Sequence, residues 1–462
     1  MSRTLDHQSK PPAIDAPAPG ARAALLLLLA INLFNYIDRY VVASVEPQIA
    51  KAFFGGKAND AATLAKTGSL ATAFLVSYLI TAPILGWLAD RMSRWLLVGL
   101  SVAIWSLATG ASGLAPTFTV LLLTRCFVGI GEGGYGPAAP TLISDLYPVS
   151  RRGVVLSWFY MAIPVGSAIG FAVGGLVGAE SHPHGWRWAF FVVTPPGLLL
   201  AAWCFFMRDP PRGQSDALAP EASAKKPTWR DYLALARNPS YVLDCAGMTA
   251  MSFAIGGISF WMPRYLTQAP PAGRGLPENS KLIFGIIVAT TGLFATLAGG
   301  LAGDKLKRRY PGSYFLVSGA AIILACPFLL VMLLVPFPWA WVMMFLACFF
   351  LFFNTGPTNT ILANVTHPSI RATAFAVNIL VIHLFGDAAS PPVLGGLAGR
   401  FGWNAAFGLV AAAMTLAGIL WLWGARHLER DMERALIRAP GAGRGFPVVI
   451  PVPPPDGSDV QR

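Results

Sequence analysis

The stretch LLLTRCFVGIGEGGYGPAAPTLISDLY, residues Leu121 to Tyr147, carries an arginine and a glutamate within a segment apolar enough to cross a bilayer. On a helix, Arg125, Gly129 and Glu132 are four and three residues apart and share one face. The two charges lie about 10 Å apart along the axis, too far to pair with each other. Because charged side chains inside a membrane span face the bundle interior or a watered cavity and need partners there, this stretch predicts a polar cavity between helices.

The composition places the rest of the chain in the membrane class. Of 462 residues, 55% are hydrophobic and 12% are charged, and the mean hydropathy is +0.57, far too apolar for an ordinary soluble domain. Twelve apolar stretches are long enough to span a bilayer. They are Ala23–Ile49, Gly68–Ala89, Trp95–Gly113, Phe118–Leu146, Val154–Gly178, Trp188–Met207, Tyr241–Leu266, Leu282–Ala302, Ser313–Val335, Trp339–Leu362, Thr373–Leu397 and Trp403–Gly424. We therefore predict an all-α membrane protein.

Lysine and arginine are distributed unevenly between the two sides of these spans. With the N-terminus inside, that side carries 24 of the 34 basic residues, Arg39 and Arg125 are assigned to spans, and eight are left for the opposite loops. This asymmetry follows the positive-inside rule and predicts that both termini are cytoplasmic. It also explains the net charge of +12 without a nucleic-acid partner, since no basic run interleaves with exposed aromatic residues.

The polar segments define the predicted organisation of the chain. The predicted units are a disordered cytoplasmic tail (1–22), a first six-helix bundle (23–207), a cytoplasmic linker (208–239), a second six-helix bundle (240–424) and a second cytoplasmic tail (425–462). The first tail lacks the features of a signal peptide. Within the linker, Thr228–Arg237 has the pattern of an interfacial amphipathic helix. All five cysteines lie in apolar spans at no metal-ligand spacing, so we expect neither disulfides nor a metal site.

Three short elements occur twice along the chain. Their two copies are Gly86-x-x-x-Asp90-Arg91 and Gly300-x-x-x-Asp304-Lys305, Gly136-Pro137 and Gly356-Pro357, and Gly185-Trp186 and Gly402-Trp403. The copies keep the same order, and the Gly-Pro pair recurs at an offset of 220 residues. Repeats of this kind indicate two six-helix halves with the same internal arrangement.

Two stretches of the chain resemble the signatures of the major facilitator superfamily. Gly86–Arg94 is similar to its signature between helices 2 and 3, and Arg125–Glu132 is similar to its fourth-helix signature. Four further motifs together resemble the spinster family of lipid transporters: Asn35–Tyr40 (NYIDRY), Gly129–Tyr135 (GIGEGGY), Phe159–Pro164 (FYMAIP) and His383–Pro391 (HLFGDAASP). The resemblance implies twelve transmembrane helices in two pseudo-symmetric six-helix bundles and transport by alternating access.

Two acids predict proton coupling. Asp38 on the first span and Glu132 on the fourth lie at a similar depth, about 21–23 Å from the cytoplasmic ends, and Arg125 lies about 10 Å further out. The resemblance implies that these spans are neighbours, so one guanidinium faces two carboxylates and one acid binds a proton easily. Proton occupancy would then release or recapture Arg125 and shift the balance between inward-open and outward-open states. The alternative is a static ion cluster that only fixes helix register.

Arg39 predicts a headgroup site. It follows Asp38 directly and points about 100° away around the helix, where its fork of donors suits an anionic or zwitterionic lipid headgroup. The resemblance adds four candidate pocket residues, Tyr36, Tyr160, Thr291 and His383. Asp387, one turn after His383, is placed to orient it. The alternatives are apolar packing for the tyrosines and a core histidine bonded to a carbonyl.

A third group of residues predicts a gate on the cytoplasmic side. Acidic and basic residues occur together at cytoplasmic helix ends and could latch the inward face by pairing with a base of the other half. The candidates are Asp90, Arg91, Arg94, Arg151, Asp304, Lys305 and Arg371. The alternative is a tight turn beside bases that only set topology.

These features favour a carrier over other classes. An enzyme is not expected, because no nucleophile with a base and no metal cluster is present in the sequence pattern. We predict a monomeric, proton-coupled transporter for a lysophospholipid or a sphingoid lipid such as sphingosine 1-phosphate, with protons as the coupling ion and no other cofactor. The alternative is a carrier for another amphipathic or small organic anion. The short outer loops favour a bacterial member in the inner membrane.

Overall fold

The computed structural model describes residues 17–89, 91–178, 184–211, 235–268, 279–307, 309–337, 339–366 and 371–437. The first half forms α1 (Ala21–Phe54), α2 (Ala61–Ala89), α3 (Arg94–Leu114), α4 (Phe118–Leu146), α5 (Val149–Leu176) and α6 (Gly185–Cys204). The second half forms α7 (Pro239–Gln268), α8 (Ser280–Lys307), α9 (Ser313–Met332), α10 (Trp339–Phe352), α11 (Thr355–Asn364), α12 (Arg371–Ile382), a π-helical turn (His383–Asp387), α13 (Ser390–Phe401), α14 (Trp403–Gly424) and α15 (Leu428–Ile437). The predicted amphipathic helix Thr228–Arg237 lies largely outside these residues.

Twelve membrane-spanning segments follow from these helices. Within the described residues, 11 segments are both long and apolar enough to cross a membrane. The twelfth is α4, whose 29 residues suffice in length but include charged side chains, glycines and prolines that lower its hydropathy. The tenth span consists of α10 and α11, and the eleventh of α12, the π-helical turn and α13. The predicted fold class, all-α with twelve transmembrane helices, is confirmed.

The two halves pack in the same way. In the first bundle the first span packs on the fifth, the second on the fourth, and the third on the fourth and sixth. The same pairs recur six spans later: α7 packs on the eleventh span, α8 on the tenth, and α9 on the tenth and on α14. The repeated sequence elements lie at matching crossings. A Cβ added to Gly86 would lie 3.5 Å from the Pro137 Cβ, and one added to Gly356 would lie 3.4 Å from the Gly300 Cα. The bundles are therefore pseudo-symmetric, as the repeats predict.

The bundles meet most closely on one side of the membrane domain. We name the end where α1 begins and α14 ends the tail side, and the end where α1 leads into α2 the far side. Near the far side α13 lies directly on α2, since a Cβ added to Gly395 would come within 2.5 Å of the Leu64 carbonyl oxygen. Nearer the middle, the Thr72 hydroxyl donates to the Ala388 carbonyl at 2.5 Å. The far side of the structure is therefore closed.

Arg94 ties together three parts of the first bundle on the tail side. It lies at the start of α3 and is buried, and its guanidinium pairs with Asp145 near the end of α4. Its backbone N–H and Nε donate to the two carboxylate oxygens of Asp209 at 2.7 Å and 3.0 Å, and Nη2 donates to the Pro210 carbonyl at 2.7 Å. Arg94, predicted as part of a gate between the bundles, instead contacts α4 and the segment that follows α6, all in the first half of the chain.

We expect Arg94→Ala to destabilise the protein by about 3 kcal/mol, because it removes a buried guanidinium that pairs with both Asp145 and Asp209. Arg91→Ala is the matched control, since Arg91 is exposed and contacts Trp87, four residues earlier. Its guanidinium carbon lies 3.9 Å from the Trp87 ring centroid, and Nη1 donates to the Trp87 carbonyl at 3.0 Å. That change should stay within about 0.5 kcal/mol. Thermal unfolding of both variants in detergent tests the difference, and equal losses would contradict the assignment of Arg94 as a clamp.

Candidate functional site

The first buried ion pair joins α1 to α4 at Asp38. Arg125 Nη1 lies 3.6 Å from Asp38 Oδ1, and both side chains are almost fully buried. The hydroxyl of Thr109 on α3 donates to the other carboxylate oxygen of Asp38. At 3.6 Å the arginine contact is an electrostatic pair without a good hydrogen bond. Asp38 is therefore held between two helices of its own bundle.

The second buried pair joins the same two helices at Glu132. Arg39 donates to Glu132 Oε2 from Nε at 2.7 Å, and its Nη2 lies 2.6 Å from the same oxygen. The Glu132 side chain is fully buried, whereas 22% of the Arg39 side chain is exposed. The guanidinium also lies over three rings, 4.9 Å from Tyr36, 4.8 Å from Phe74 and 5.6 Å from Tyr78. Arg39 thus pairs with Glu132 on one side and reaches open space on another.

The expectation that Arg125 faces both carboxylates is wrong. Asp38 and Arg39 are consecutive on α1 and point in different directions, so each finds its own partner on α4. The depth argument located the backbone of each residue and neglected the reach of an arginine side chain. Arg125 and Glu132 do not pair with each other, in agreement with their spacing. The site therefore contains two ion pairs of opposite orientation, Asp38 with Arg125 and Arg39 with Glu132.

A cavity between the two bundles borders this site. Arg39 and Tyr40 of α1 and Phe74 of α2 form one wall. The opposite wall comes from Ser259 of α7 and from Asp387 in the π-helical turn. Apolar side chains complete the lining: Ala43, Ala71, Leu75, Ile255 and Phe260. The cavity therefore presents a cation on one wall and an acid on the other, with apolar surface between them.

The π-helical turn positions the acid. The Ala388 N–H donates to the His383 carbonyl five residues earlier at 2.9 Å, which widens the helix locally. His383 Nδ1 lies 2.6 Å from Asp387 Oδ2, and the two side chains are 30% and 22% exposed. The contact between His383 and Asp387 is the one that the predicted orienting role of Asp387 requires. Single π turns of this kind occur frequently at functional sites.

The remaining predicted pocket residues differ in position. Tyr36 lies against Arg39, and Tyr160 is half exposed with its ring centroid 5.2 Å from that of Phe159. Thr291 is fully buried, and its hydroxyl donates to the Ile287 carbonyl of its own helix at 2.6 Å. The structure therefore does not bring Thr291 to the cavity. A hydroxyl inside an apolar helix commonly satisfies itself in this way.

The predicted gate on the tail side is only partly within the described residues. Asp90 and the side chains of Arg151 and Arg371 lie outside them. Asp304 accepts a hydrogen bond from the Tyr314 hydroxyl at 2.7 Å within the second bundle, and Lys305 is exposed. These contacts give the repeated acid of the second bundle a local partner.

One ion pair was missed by the sequence analysis. Arg264 of α7 pairs with Glu46 of α1. Its Nη1 donates to the two carboxylate oxygens of Glu46 at 2.7 Å and 2.6 Å, and both side chains are buried. Arg264 falls inside the predicted span Tyr241–Leu266 but was counted with the outer loops. A charged residue within an apolar span was the signal that should have identified both partners.

Comparison with known proteins identifies the family to which the chain belongs. The family model of the Major Facilitator Superfamily matches residues 28–391. Protein spinster homolog 1 of Homo sapiens is 34% identical over 455 residues, which cover 92% of this chain and 84% of that protein. The sphingosine-1-phosphate transporter SPNS2 of Danio rerio is 34% identical over 378 residues, covering 79% and 73%. A crystal structure of a bacterial homologue of the human lysosomal transporter spinster, inward-facing and unoccupied, has a TM-score of 0.72 at 23% identity and covers 92% of this chain and 100% of its own.

The fold of two six-helix bundles and the match to the family model define a multi-pass membrane transporter of the Major Facilitator Superfamily, not an enzyme. Within that superfamily the chain belongs to the spinster family. The resemblance found in the four motifs is therefore confirmed. The roles of the individual site residues remain predictions.

The two ion pairs can be tested by cross-rescue. Arg125→Met leaves Asp38 buried and unpaired and should destabilise the protein strongly, and Asp38→Asn should recover most of that loss because it removes the orphaned charge. In the same way Glu132→Gln should rescue Arg39→Met. Thermal unfolding of the single and double variants is the measurement. The matched controls are the two exchanged combinations, Arg125→Met with Glu132→Gln and Arg39→Met with Asp38→Asn. Rescue by either exchanged combination would overturn the assignment of the pairs.

Proposed function

We propose that this protein moves a lysophospholipid or a sphingoid lipid across the membrane by proton-coupled alternating access. The observation that carries the proposal is the cavity between the bundles, where Arg39 and Asp387 face a shared space lined by apolar side chains. A lipid with one hydrocarbon chain has this combination of a charged end and an apolar body. The names of the spinster relatives, among them a sphingosine-1-phosphate transporter, support the same substrate class.

The two charged walls favour a zwitterionic headgroup. The exposed part of the Arg39 guanidinium offers donors to a phosphate, and guanidinium and phosphate match in geometry. Asp387 offers an acceptor to an ammonium group, with His383 holding it in place. Phe74, Leu75 and Phe260 provide apolar surface for the first part of the chain. Lysophospholipids with an amine headgroup and sphingoid phosphates both carry this pair of charges.

Proton coupling follows from competition for Arg39. A phosphate that binds Arg39 draws it from Glu132, whose carboxylate then lies buried without a cation. Because an unpaired buried carboxylate is costly, Glu132 takes up a proton as the phosphate binds. Asp38 and Arg125 form a second pair on the same two helices, so a shift of α1 against α4 affects both. Release of the substrate reverses the exchange and frees the proton.

A carrier for another amphipathic or small organic anion is the alternative function. The pair of Arg39 and Glu132 would serve any anion by the same exchange. Asp387 distinguishes the two proposals, since an acid on the cavity wall repels a simple anion and attracts an ammonium group.

We further propose that the protein works as a monomer in a bacterial inner membrane with the tail side cytoplasmic, which the excess of basic residues on that side supports.

The headgroup proposal predicts different losses for two variants. Asp387→Asn should weaken binding of a lysophosphatidylethanolamine about tenfold or more, through loss of a charged hydrogen bond worth about 1.5–3 kcal/mol, and leave binding of a lysophosphatidic acid of equal chain length unchanged or tighter. Arg39→Ala should weaken binding of both lipids. Calorimetry or fluorescence titration of the purified protein is the measurement. Thr291→Val is the control, because its hydroxyl bonds only within its helix. Equal effects of Asp387→Asn on both lipids would favour the anion carrier.

The coupling proposal predicts a pH response that depends on the two acids. Spin labels placed on opposite bundles at the tail side should report a change in distance between about pH 5 and about pH 8 as protonation shifts the access equilibrium. Glu132→Gln and Asp38→Asn should each remove most of this change, because the amides cannot exchange a proton. Glu429→Gln, at an exposed position of α15, is the control. A full pH response in both site variants would refute coupling through these acids.

A further inference from the structure

The ion pair between Glu46 and Arg264 connects the two bundles on the far side. Arg264 projects from the end of α7 into the first bundle, where Nη1 donates to both oxygens of Glu46. Its Nη2 donates to the Ala58 carbonyl at 2.9 Å and to Asn59 Oδ1 at 2.7 Å. Less than 2% of either side chain is exposed, at 1% for Arg264 and 0% for Glu46. One guanidinium of the second bundle is thus held by four contacts from the first.

A second cation of the same bundle lies close by. Lys281, near the start of α8, donates from Nζ to the Ser44 carbonyl of α1 at 2.6 Å. Its stem packs where α5 approaches, since a Cβ added to Gly175 would lie 3.3 Å from the Lys281 Cβ. Ser44 and Glu46 are two residues apart on α1. Two helices of the second bundle therefore hold one short segment of α1.

We infer that Glu46, Arg264 and Lys281 form a latch that keeps the far side closed and that must separate each time the transporter opens there. The inference rests on the alternating access contained in the proposed function, but it needs neither the lipid nor the coupling proton. The ion pair is the main part of the latch, and the lysine contact adds to it. Nothing in the sequence repeats or in the signature motifs points to these three residues.

The energetics of the pair suit a contact that forms and breaks. A buried ion pair contributes little net stability, because the loss of hydration offsets the attraction between the charges. When the bundles part on the far side, both charges regain water, so the open state is not penalised by an orphaned charge. Removal of only one partner is different, because the remaining charge is unpaired only while the far side is closed. A single substitution should therefore favour the open state.

The position of the latch on α1 links it to the central site. Glu46 lies eight residues after Asp38 on the same helix, a rise of about 12 Å. Asp38 and Arg39 contact the first bundle, whereas Glu46 contacts the second. A tilt of α1 driven by the central pairs therefore acts directly on the latch. The far-side gate and the central site then respond to one helix.

The test measures how often the far side opens in the absence of lipid. Spin labels at Ala62 of α2 and Arg400 of α13, both exposed, lie on the two bundles across the closed far side. Glu46→Gln and Arg264→Met should each raise the long-distance population about tenfold or more relative to the parent protein. Lys281→Met should also raise it, since it removes the contact of Nζ with the Ser44 carbonyl of the other bundle. Glu429→Gln, the same chemical change at an exposed site, should leave the distribution as it is.

A charge exchange makes the inference independent of folding defects in the single variants. Glu46→Arg combined with Arg264→Glu restores a pair of opposite charges and should return the long-distance population toward that of the parent, whereas Glu46→Arg alone should raise it strongly. Unchanged distances in both single variants, or a double variant no closer to the parent than Glu46→Arg, would overturn the latch. Lipid titration of the parent protein separates this result from the proposed function, because a parent that binds neither a lysophospholipid nor a sphingoid phosphate, while the variants show the expected distances, would count only against the substrate assignment.

Discussion

The structure depends on the high cost of leaving a charge unpaired inside a membrane-spanning bundle. The first helix carries three such charges, and each has a partner on another helix: Asp38 with Arg125, Arg39 with Glu132, and Glu46 with Arg264. Two of these pairs lie within the first bundle and the third joins it to the second. If one partner of any pair were removed from this closed structure, the other would stay buried without an opposite charge. The same physical constraint therefore binds α1 to both bundles.

An irregular turn of backbone lies where the second bundle lines the cavity beside this helix. The π-helical turn before α13 brings Asp387 into the cavity, and α13 beyond it packs closely on α2 through glycines. A regular helix would rotate Asp387 by part of a turn relative to α13. The wider turn therefore lets Asp387 face the cavity while α13 keeps its packing face against α2. The same span thus supplies both a charged cavity wall and a tight contact between bundles.

The partial exposure of Arg39 gives the site its chemical character. Its partner Glu132 is fully buried, so the pair has one side that a ligand can reach and one that it cannot. A ligand anion can therefore displace the acid, whereas the pair of Asp38 and Arg125 is sealed from such competition. This difference between two similar ion pairs arises from the direction in which two consecutive residues leave the helix.

The amino-acid sequence by itself determined the membrane class, the twelve spans, the repeat between halves and the identity of most buried charges, because hydrophobic length and charge within a span are local properties. The pairing of those charges was decided only by the tertiary structure. Arg125 is not shared between two acids, Thr291 is turned into its own helix, and Arg264 reaches across to Glu46. Such contacts depend on how helices cross and rotate against each other, which the periodicity of a single helix does not contain.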